Sequence, residues 1–217
     1  FALEPDSARA LAARVPALSG RDVSVLIWTT TPWTIPSNMA VAFHPEFDYA
    51  AYDVEGRAVV VAEALASAVA DAVGRTFPTP LARMKGDVLE HLRFQHPLYG
   101  RPSVGVLAEY VTLDAGTGAV HTAPGHGSDD YNTGVKYGIE IYAPVDQGGH
   151  FFPNVELFGG QRVFDANPRI EAALKERGQL WHREVIRHQY PHCWRCHNPV
   201  IFLATSQWFI ALDQPPN

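Results

Sequence analysis

The chain has 217 residues, 47% hydrophobic and 18% charged, enough for one sizeable core with a small appendage and too apolar for disorder by composition. A net charge of −6 excludes a domain that grips nucleic acid through its phosphates alone, and leaves open contact with one end of an RNA held elsewhere. No apolar run approaches the roughly 18–20 residues of a membrane span, no signal-peptide pattern follows Phe1, and two cysteines three apart make no secreted disulfide framework; a cytoplasmic protein is expected.

In chain order, residues 1–20 read as a short helix or irregular lead-in punctuated by Pro16, Ser19 and Gly20. "DVSVLIWTT" (22–30) is β-branched and almost wholly apolar, the pattern of a central strand, and "MAVAF" (39–43) is a second. "DYAAYDVEGRAVVVA" (48–62) holds two strands around a hairpin at Glu55-Gly56-Arg57. "AEALASAVADAVG" (62–74) has good helix formers, an apolar stripe and Gly74 as stop. Strand-like pieces interrupted by Pro and Gly fill 76–103. "SVGVLAEYVTL" and "GAVHTAP" then read as strands parted by the turn 114–118. "SDDYNTGVKYG" (128–138) predicts a helix capped by Ser128, with acids in its first turn where they suit the dipole. "IEIYAPV" (139–145) predicts a strand, and "NPRIEAALKERG" (167–178) a helix with Asn167 as N-cap, Pro168 at its first position and Gly178 as stop.

Many short strands with few helices between them, and no regular β-α-β alternation, predict an α+β, mainly β domain over 1–180. The expected form is a closed or strongly curved barrel of mostly antiparallel strands with peripheral helices. Residues 181–217, rich in His, Arg, Cys and Trp, read as a C-terminal appendage, and the ends at Phe1 and "DQPPN" look like cuts through a longer protein.

Two stretches carry the chemistry. In "VSVLIWTTTPWTIPSN" (23–38) a strand runs into three threonines and then a wall fixed between two prolines. In "GTGAVHTAPGHGSDDY" (116–131) a strand ending at His121 and Thr122 passes through a glycine-rich loop into a helix, setting Asp129 and Asp130 at the rim of whatever the strand end lines. Hydroxyls at a strand end can hold a water and a polarised carbonyl, and a nearby carboxylate suits a cationic amine. Together they describe a pocket for an aminoacyl group. Plainer readings stand beside this one: three threonines also serve β-propensity, and "SDD" also serves a solvated helix start. His121, His126 and Asp129 or Asp130 are metal-ligand types, but their spacing fits no zinc-hydrolase pattern. No Gly-x-Ser-x-Gly elbow occurs. Cys193 and Cys196, flanked by His192 and His197, form half of a zinc knuckle; the other half lies outside the chain or a histidine completes the site.

In this order and spacing, "WTTTPWTIPSN" and "GTGAVHTAPGHGSDDY" resemble the editing (connective polypeptide 1) domain inserted in bacterial isoleucyl-tRNA synthetases, and "YPHCWRCHNPVIF" resembles the zinc-ribbon return that follows it. The resemblance covers essentially the whole chain. The related valyl and leucyl enzymes carry Thr-Thr-Arg-Pro where this chain has Thr30-Thr31-Pro32 after an additional Thr29. The isoleucine enzyme is itself the standing example of a synthetic site that cannot reject an amino acid short of one methylene, a discrimination worth only about 1–3 kcal/mol, and so needs a second, hydrolytic pocket.

The resemblance implies hydrolysis of Val-tRNA(Ile) and valyl-adenylate, with the 3′-terminal aminoacyl-adenosine of tRNA(Ile) and the remainder of the synthetase as partners and no membrane. It implies that Asp130 binds the α-ammonium and that Thr29, Thr30 and Thr31 line the hydrolytic site. Trp33 and Asn38 would lie in the threonine-rich wall, His121 would stand where isoleucine's extra methyl would go, and His126 and Asp129 share the Asp130 loop. Editing needs no cofactor; zinc at Cys193/Cys196 requires the missing half-site. Alternatives are the editing domain of a valyl or leucyl enzyme and a non-catalytic zinc-ribbon module that positions RNA.

Overall fold

The computed structural model describes residues 1–187, 189–208 and 210. The reading of "DQPPN" as a cut end, and the last part of the 181–217 appendage, lie outside them.

Among the described residues, eight strands form two four-stranded mixed sheets. The first takes β1 (Val23–Val25), β4 (Arg57–Ala62), β3 (Asp48–Val54) and β5 (Ala82–Lys85), in that spatial order. The second takes β6 (Arg93–Gln95), β7 (Pro102–Leu107), β2 (Ala40–Phe43) and β8 (Ala119–Thr122). β1 with β4 and β2 with β7 are parallel, and the other pairs are antiparallel.

The sheets pack face to face. Tyr49, Ala51, Ala58 and Val60 from the first and Val41, Phe43, Phe94 and Ala119 from the second share one core. Their alternating neighbours point outward. Ala50, Tyr52, Val59 and Val61 are covered by helix α2 (Ala66–Val73), and Ala40, Ala42 and Val106 pack with Tyr137 from helix α3 (Ser128–Tyr137). Burial on both faces is why β2 and β4 read as continuous apolar runs rather than alternating ones. A separate cluster joins Trp33 and Ile35 to helix α4 (Val163–Glu176) through Val163, Ala166 and Ile170. Helix α1 (Pro5–Arg14) lays Leu11 on the central core.

The expected closed barrel is therefore corrected: there are two mixed sheets, and neither closes or curls on itself. A barrel needs every strand paired on both sides. Residues 1–4 tie the β1 edge to the β6 edge through single bridges, Ala2 to Ser24 and Leu3 to Phe94, but among the described residues no ladder joins β5 to β8. Strands of three to seven residues instead end at their own edges and bury their faces by stacking.

The hairpin at 55–56 is as read, with positive φ at both Glu55 (54°) and Gly56 (85°), the conformation a two-residue hairpin turn requires. Gly74 and Gly138 end α2 and α3 in the left-handed conformation. Several boundaries differ. β1 stops at Val25 rather than Thr30, because the Leu26 carbonyl accepts from the Thr117 hydroxyl at 2.7 Å and the chain leaves the ladder. The N-cap of α3 is Gly127, and Ser128 makes no side-chain cap bond. "IEIYAPV" forms no strand; only Val145 bridges, to Phe151. α4 begins at Val163, where the Arg162 carbonyl takes the Asp165 and Ala166 amides, so Asn167 and Pro168 lie inside the helix.

Gly105 sits in β7 beneath the Leu89 carbonyl, which would lie 2.2 Å from an added Cβ, against backbone that has no side chain to move aside. Gly105→Ala should therefore lower the urea midpoint, with a loss on the order of 1–3 kcal/mol, and an unchanged midpoint would show that the 89–92 turn can shift.

Candidate functional site

The three threonines have divided roles. Thr29 Oγ1 accepts the Thr31 amide at 3.0 Å, a local turn that takes the chain out of its extended course. The Thr30 and Thr31 hydroxyls lie 3.4 Å apart, and both residues line a cleft of about 270 Å³ completed by Trp33, Phe164, Asn167, Tyr190, His192 and Pro199. The wall that follows is a 3-10 turn, Pro32–Ser37, buried from Trp33 onward.

That wall is held by a directed run of hydrogen bonds. Ser103 Oγ donates to Asn38 Oδ1. Asn38 Nδ2 donates to the Ala40 carbonyl at 2.8 Å and faces His121 Nδ1 at 3.4 Å. Thr34 Oγ1 donates its only hydrogen to the Thr31 carbonyl at 2.8 Å, so its 2.9 Å contact with His121 Nε2 requires the ring to donate there. His121 is thereby fixed as the neutral Nε2–H tautomer, since a proton on Nδ1 would meet the Asn38 amide donor. Burial, with a smaller contribution from the His126 field, lowers its pKa to about 4. His96 and Arg101 also brace the wall, through the Ile35 and Pro36 carbonyls.

Asp130 lies on α3 and is half-buried. Its Oδ2 accepts the Ala123 amide at 2.9 Å, two residues beyond His121 along the same strand end. Burial raises its pKa to about 6, against the lowering effect of that amide and with a further rise from Asp129. The end of β8 thus carries both contacts: His121 to the threonine wall and Ala123 to Asp130. A larger cleft, about 700 Å³, is lined by Asp129, Tyr110, Thr133 and Tyr137 among others. Neither cleft is lined by His121 or Asp130, so the predicted residues share a strand end but not one of these hollows.

His126 is buried with Trp33 edge-on at 5.0 Å. Its Nδ1 donates to the Phe202 carbonyl at 3.0 Å, while the Ala204 amide donates to the Gly125 carbonyl at 2.9 Å. The C-terminal segment therefore clamps the loop that leads into α3. Gly125 is required there: an added Cβ would lie 2.4 Å from the Tyr142 carbonyl.

Upstream of that clamp, residues 191–200 fold back through Cys193 N to Asn198 O and Val200 N to Pro191 O. The Cys196 and Arg195 amides and the Cys196 thiol direct hydrogens at Cys193 and hold its thiol below the usual range. This backbone suits a metal-bound thiolate, but His192 Nδ1 is engaged by the His197 carbonyl at 2.7 Å, and among the described residues no group of three metal-ligating side chains occurs. The residues supply two sulfur ligands of the four a tetrahedral zinc needs.

Sequence reasoning did not assign Thr34, Ser103, Phe164, Asn167 or Tyr190 to the site. Thr34 lay inside the quoted motif, but its hydroxyl gains meaning only from the position of His121. The others come from distant segments with no local signal.

No family model matches the chain. By sequence it is 54% identical over 190 residues to the isoleucine--tRNA ligase of Desulfovibrio desulfuricans, covering 88% of this chain and 20% of that protein. It is 49% identical over 214 residues to that of Geobacter sulfurreducens, covering 99% and 23%. The chain belongs to the isoleucine--tRNA ligase family. It spans about a fifth of the length of these curated relatives. Among solved structures, a leucyl-tRNA synthetase CP1 domain, GlLeuRS-CP1, superposes with a TM-score of 0.65 at 18% identity, over 84% of this chain and 93% of that one. The P. knowlesi cytosolic leucyl-tRNA synthetase editing domain gives 0.62 at 10% identity, over 81% and 93%. The fold of this isoleucine--tRNA ligase segment is that of the editing domains. Among the described residues no helix is long and apolar enough to cross a membrane.

The titrations run in opposite senses. His121 is kept neutral, so its contribution to stability is complete above the ordinary 6.5 and is lost as pH falls through about 4. Asp130 is kept protonated, so its contribution is complete below the ordinary 3.8 and is lost as pH rises through about 6. Asp130→Asn should therefore gain stability relative to the parent as pH rises from 4 to 6.5 and then level off, as read by urea denaturation; a pH-independent difference would place Asp130 in contact with solvent.

Proposed function

We propose that the chain is the proofreading unit of an isoleucyl-tRNA synthetase, hydrolysing Val-tRNA(Ile) and valyl-adenylate and sparing isoleucine esters. The observation that carries this reading is the end of β8, which contacts the threonine wall through His121 and Asp130 through Ala123. The identity to isoleucine--tRNA ligases favours the isoleucine system over the leucine one that the fold alone would equally suit.

In this reading the substrate α-ammonium meets the Asp130 carboxylate, ionised at neutral pH because its raised pKa still lies near 6. The ester carbonyl lies toward Thr30 and Thr31, whose uncharged hydroxyls can orient a water without competing for the ammonium. Among the described residues no carboxylate lines the cleft, and its His192 has Nδ1 engaged by the His197 carbonyl. The rate therefore comes from positioning and from hydrogen bonds to the developing oxyanion, with the terminal ribose hydroxyl close enough in the substrate to assist. His121, neutral and held on both ring nitrogens, acts as the rigid wall against the extra methyl of isoleucine; overpacking such a wall costs about 1–3 kcal/mol. The acidic chain engages the tRNA end while the rest of the synthetase holds its body, and zinc at Cys193 and Cys196 requires the missing half of its site.

Asp130→Ala should reduce Val-tRNA(Ile) deacylation on the order of 100-fold with the circular dichroism spectrum unchanged; full activity would favour a module that only positions RNA. His121→Ala should newly cleave Ile-tRNA(Ile), and continued sparing of that ester would remove His121 as the excluding wall.

A further inference from the structure

Residues 201–204 belong to no strand or helix, yet they form a strap between two parts of the molecule. Ile201 and Leu203 pack into the cluster built on Trp33, Ile35 and α4, whereas the Phe202 side chain between them is exposed. The strap's backbone holds the loop before α3: the Phe202 carbonyl accepts from His126 Nδ1 at 3.0 Å, and the Ala204 amide donates to the Gly125 carbonyl at 2.9 Å.

From His126 the links continue through one turn. The His126 amide donates to the Ala123 carbonyl at 2.8 Å, and the Ala123 amide donates to Asp130 Oδ2 at 2.9 Å. At the other end of the turn, a Cβ added to Gly127 would stand 3.3 Å from both the Asp130 carboxyl carbon and Oδ2, so the carboxylate rests against that backbone too. Both ends of residues 123–127 thus touch one carboxylate, and the shape of the turn sets its place. His126 itself is a connector. It lines neither cleft, its Nε2 is buried with no hydrogen-bond partner, and burial holds the ring below its ordinary pKa against the opposing effect of the Phe202 carbonyl.

We infer that His126 is a positioning residue, fixing the Asp130 carboxylate relative to the threonine wall by tying the 123–127 turn to the 201–204 strap; the inference rests on the reading of Asp130 as the group that meets the substrate ammonium. The strap is anchored in the same cluster that buries Trp33 and Ile35, so the wall and the carboxylate are joined twice, once through the end of β8 and once through the strap. The span between ammonium and ester is fixed in the substrate, and a carboxylate displaced by about 1 Å can cost on the order of 100-fold in rate. A single short strand end would leave the turn beyond it free to rock, and the second tie removes that freedom. The titratable groups that face Asp130 are Asp129 on α3 and Tyr110 from the segment after β7, and the substitutions below alter neither.

The test uses the whole 217-residue chain with two readouts: carbon-13 NMR titration of the Asp130 carboxyl, and kcat/KM for Val-tRNA(Ile) deacylation at pH 7, where that carboxyl is ionised in every variant. In the parent the carboxyl should titrate near 6. His126→Leu keeps apolar bulk beside Trp33 but removes the donor; the Asp130 midpoint should fall toward the ordinary 3.8 as water reaches it, and kcat/KM should drop about tenfold. His126→Asn, whose amide nitrogen is borne on Cγ as Nδ1 is, should return both values to those of the parent. Ala204→Pro deletes the other bond of the strap and leaves His126 in place, so it gives the same two readings should the leucine substitution prevent folding. A midpoint that stays near 6 or rises in the folded variants would overturn the proposal, as would an asparagine substitution that rescues neither value. Should the midpoint move as expected in a chain that never deacylates Val-tRNA(Ile), the ammonium reading falls and the tie between His126 and Asp130 stands; an unmoved midpoint in a chain that deacylates would reverse that outcome.

Discussion

The hydrogen bond between His121 and Thr34 is the contact on which the arrangement around the threonines depends. It joins a sheet to a segment with no strand partner of its own. Because Thr34 has one hydrogen and gives it to the Thr31 carbonyl, the imidazole must donate, and every link back to Ser103 then has one allowed direction. A 3-10 turn of six residues has little internal stability. Here it is fixed by the relay, by two prolines and by the burial of Trp33 and Ile35, so the hydroxyls before it emerge at a defined place.

Burial sets the electrostatics in the same way on both sides of β8. It keeps His121 uncharged, as its two hydrogen bonds demand, and it leaves Asp130 closer to neutrality than a surface carboxylate, with one backbone amide to stabilise its charge. A carboxylate so placed gains from a cationic guest more than an exposed one would, because little water competes for it.

Much of this was legible in the sequence where the signal is local. The hairpin at Glu55-Gly56 and the left-handed stops at Gly74 and Gly138 each declare themselves within a few positions. What was not legible depends on distance. The parallel pairings of β1 with β4 and β2 with β7 leave no turn signature, and missing them made two stacked sheets read as a barrel. The strand expected to run to Thr30 is cut short at Leu26, whose carbonyl accepts the Thr117 hydroxyl from ninety-one positions away. Asn167 before Pro168 mimics a helix start, yet Arg162 supplies the first accepting carbonyl and the proline costs one bond inside α4. The site residues found only in three dimensions, Phe164, Asn167 and Tyr190, come from segments that carry no motif.

His121 lies in β8 opposite Val41 of β2, and the Ala123 amide follows directly after the strand's last residue, so one register places both. A slip of one position would turn the His121 side chain to the other face and displace the Ala123 amide along with it. Damage to this ladder therefore removes the contact to Thr34 and the contact to Asp130 together rather than one at a time.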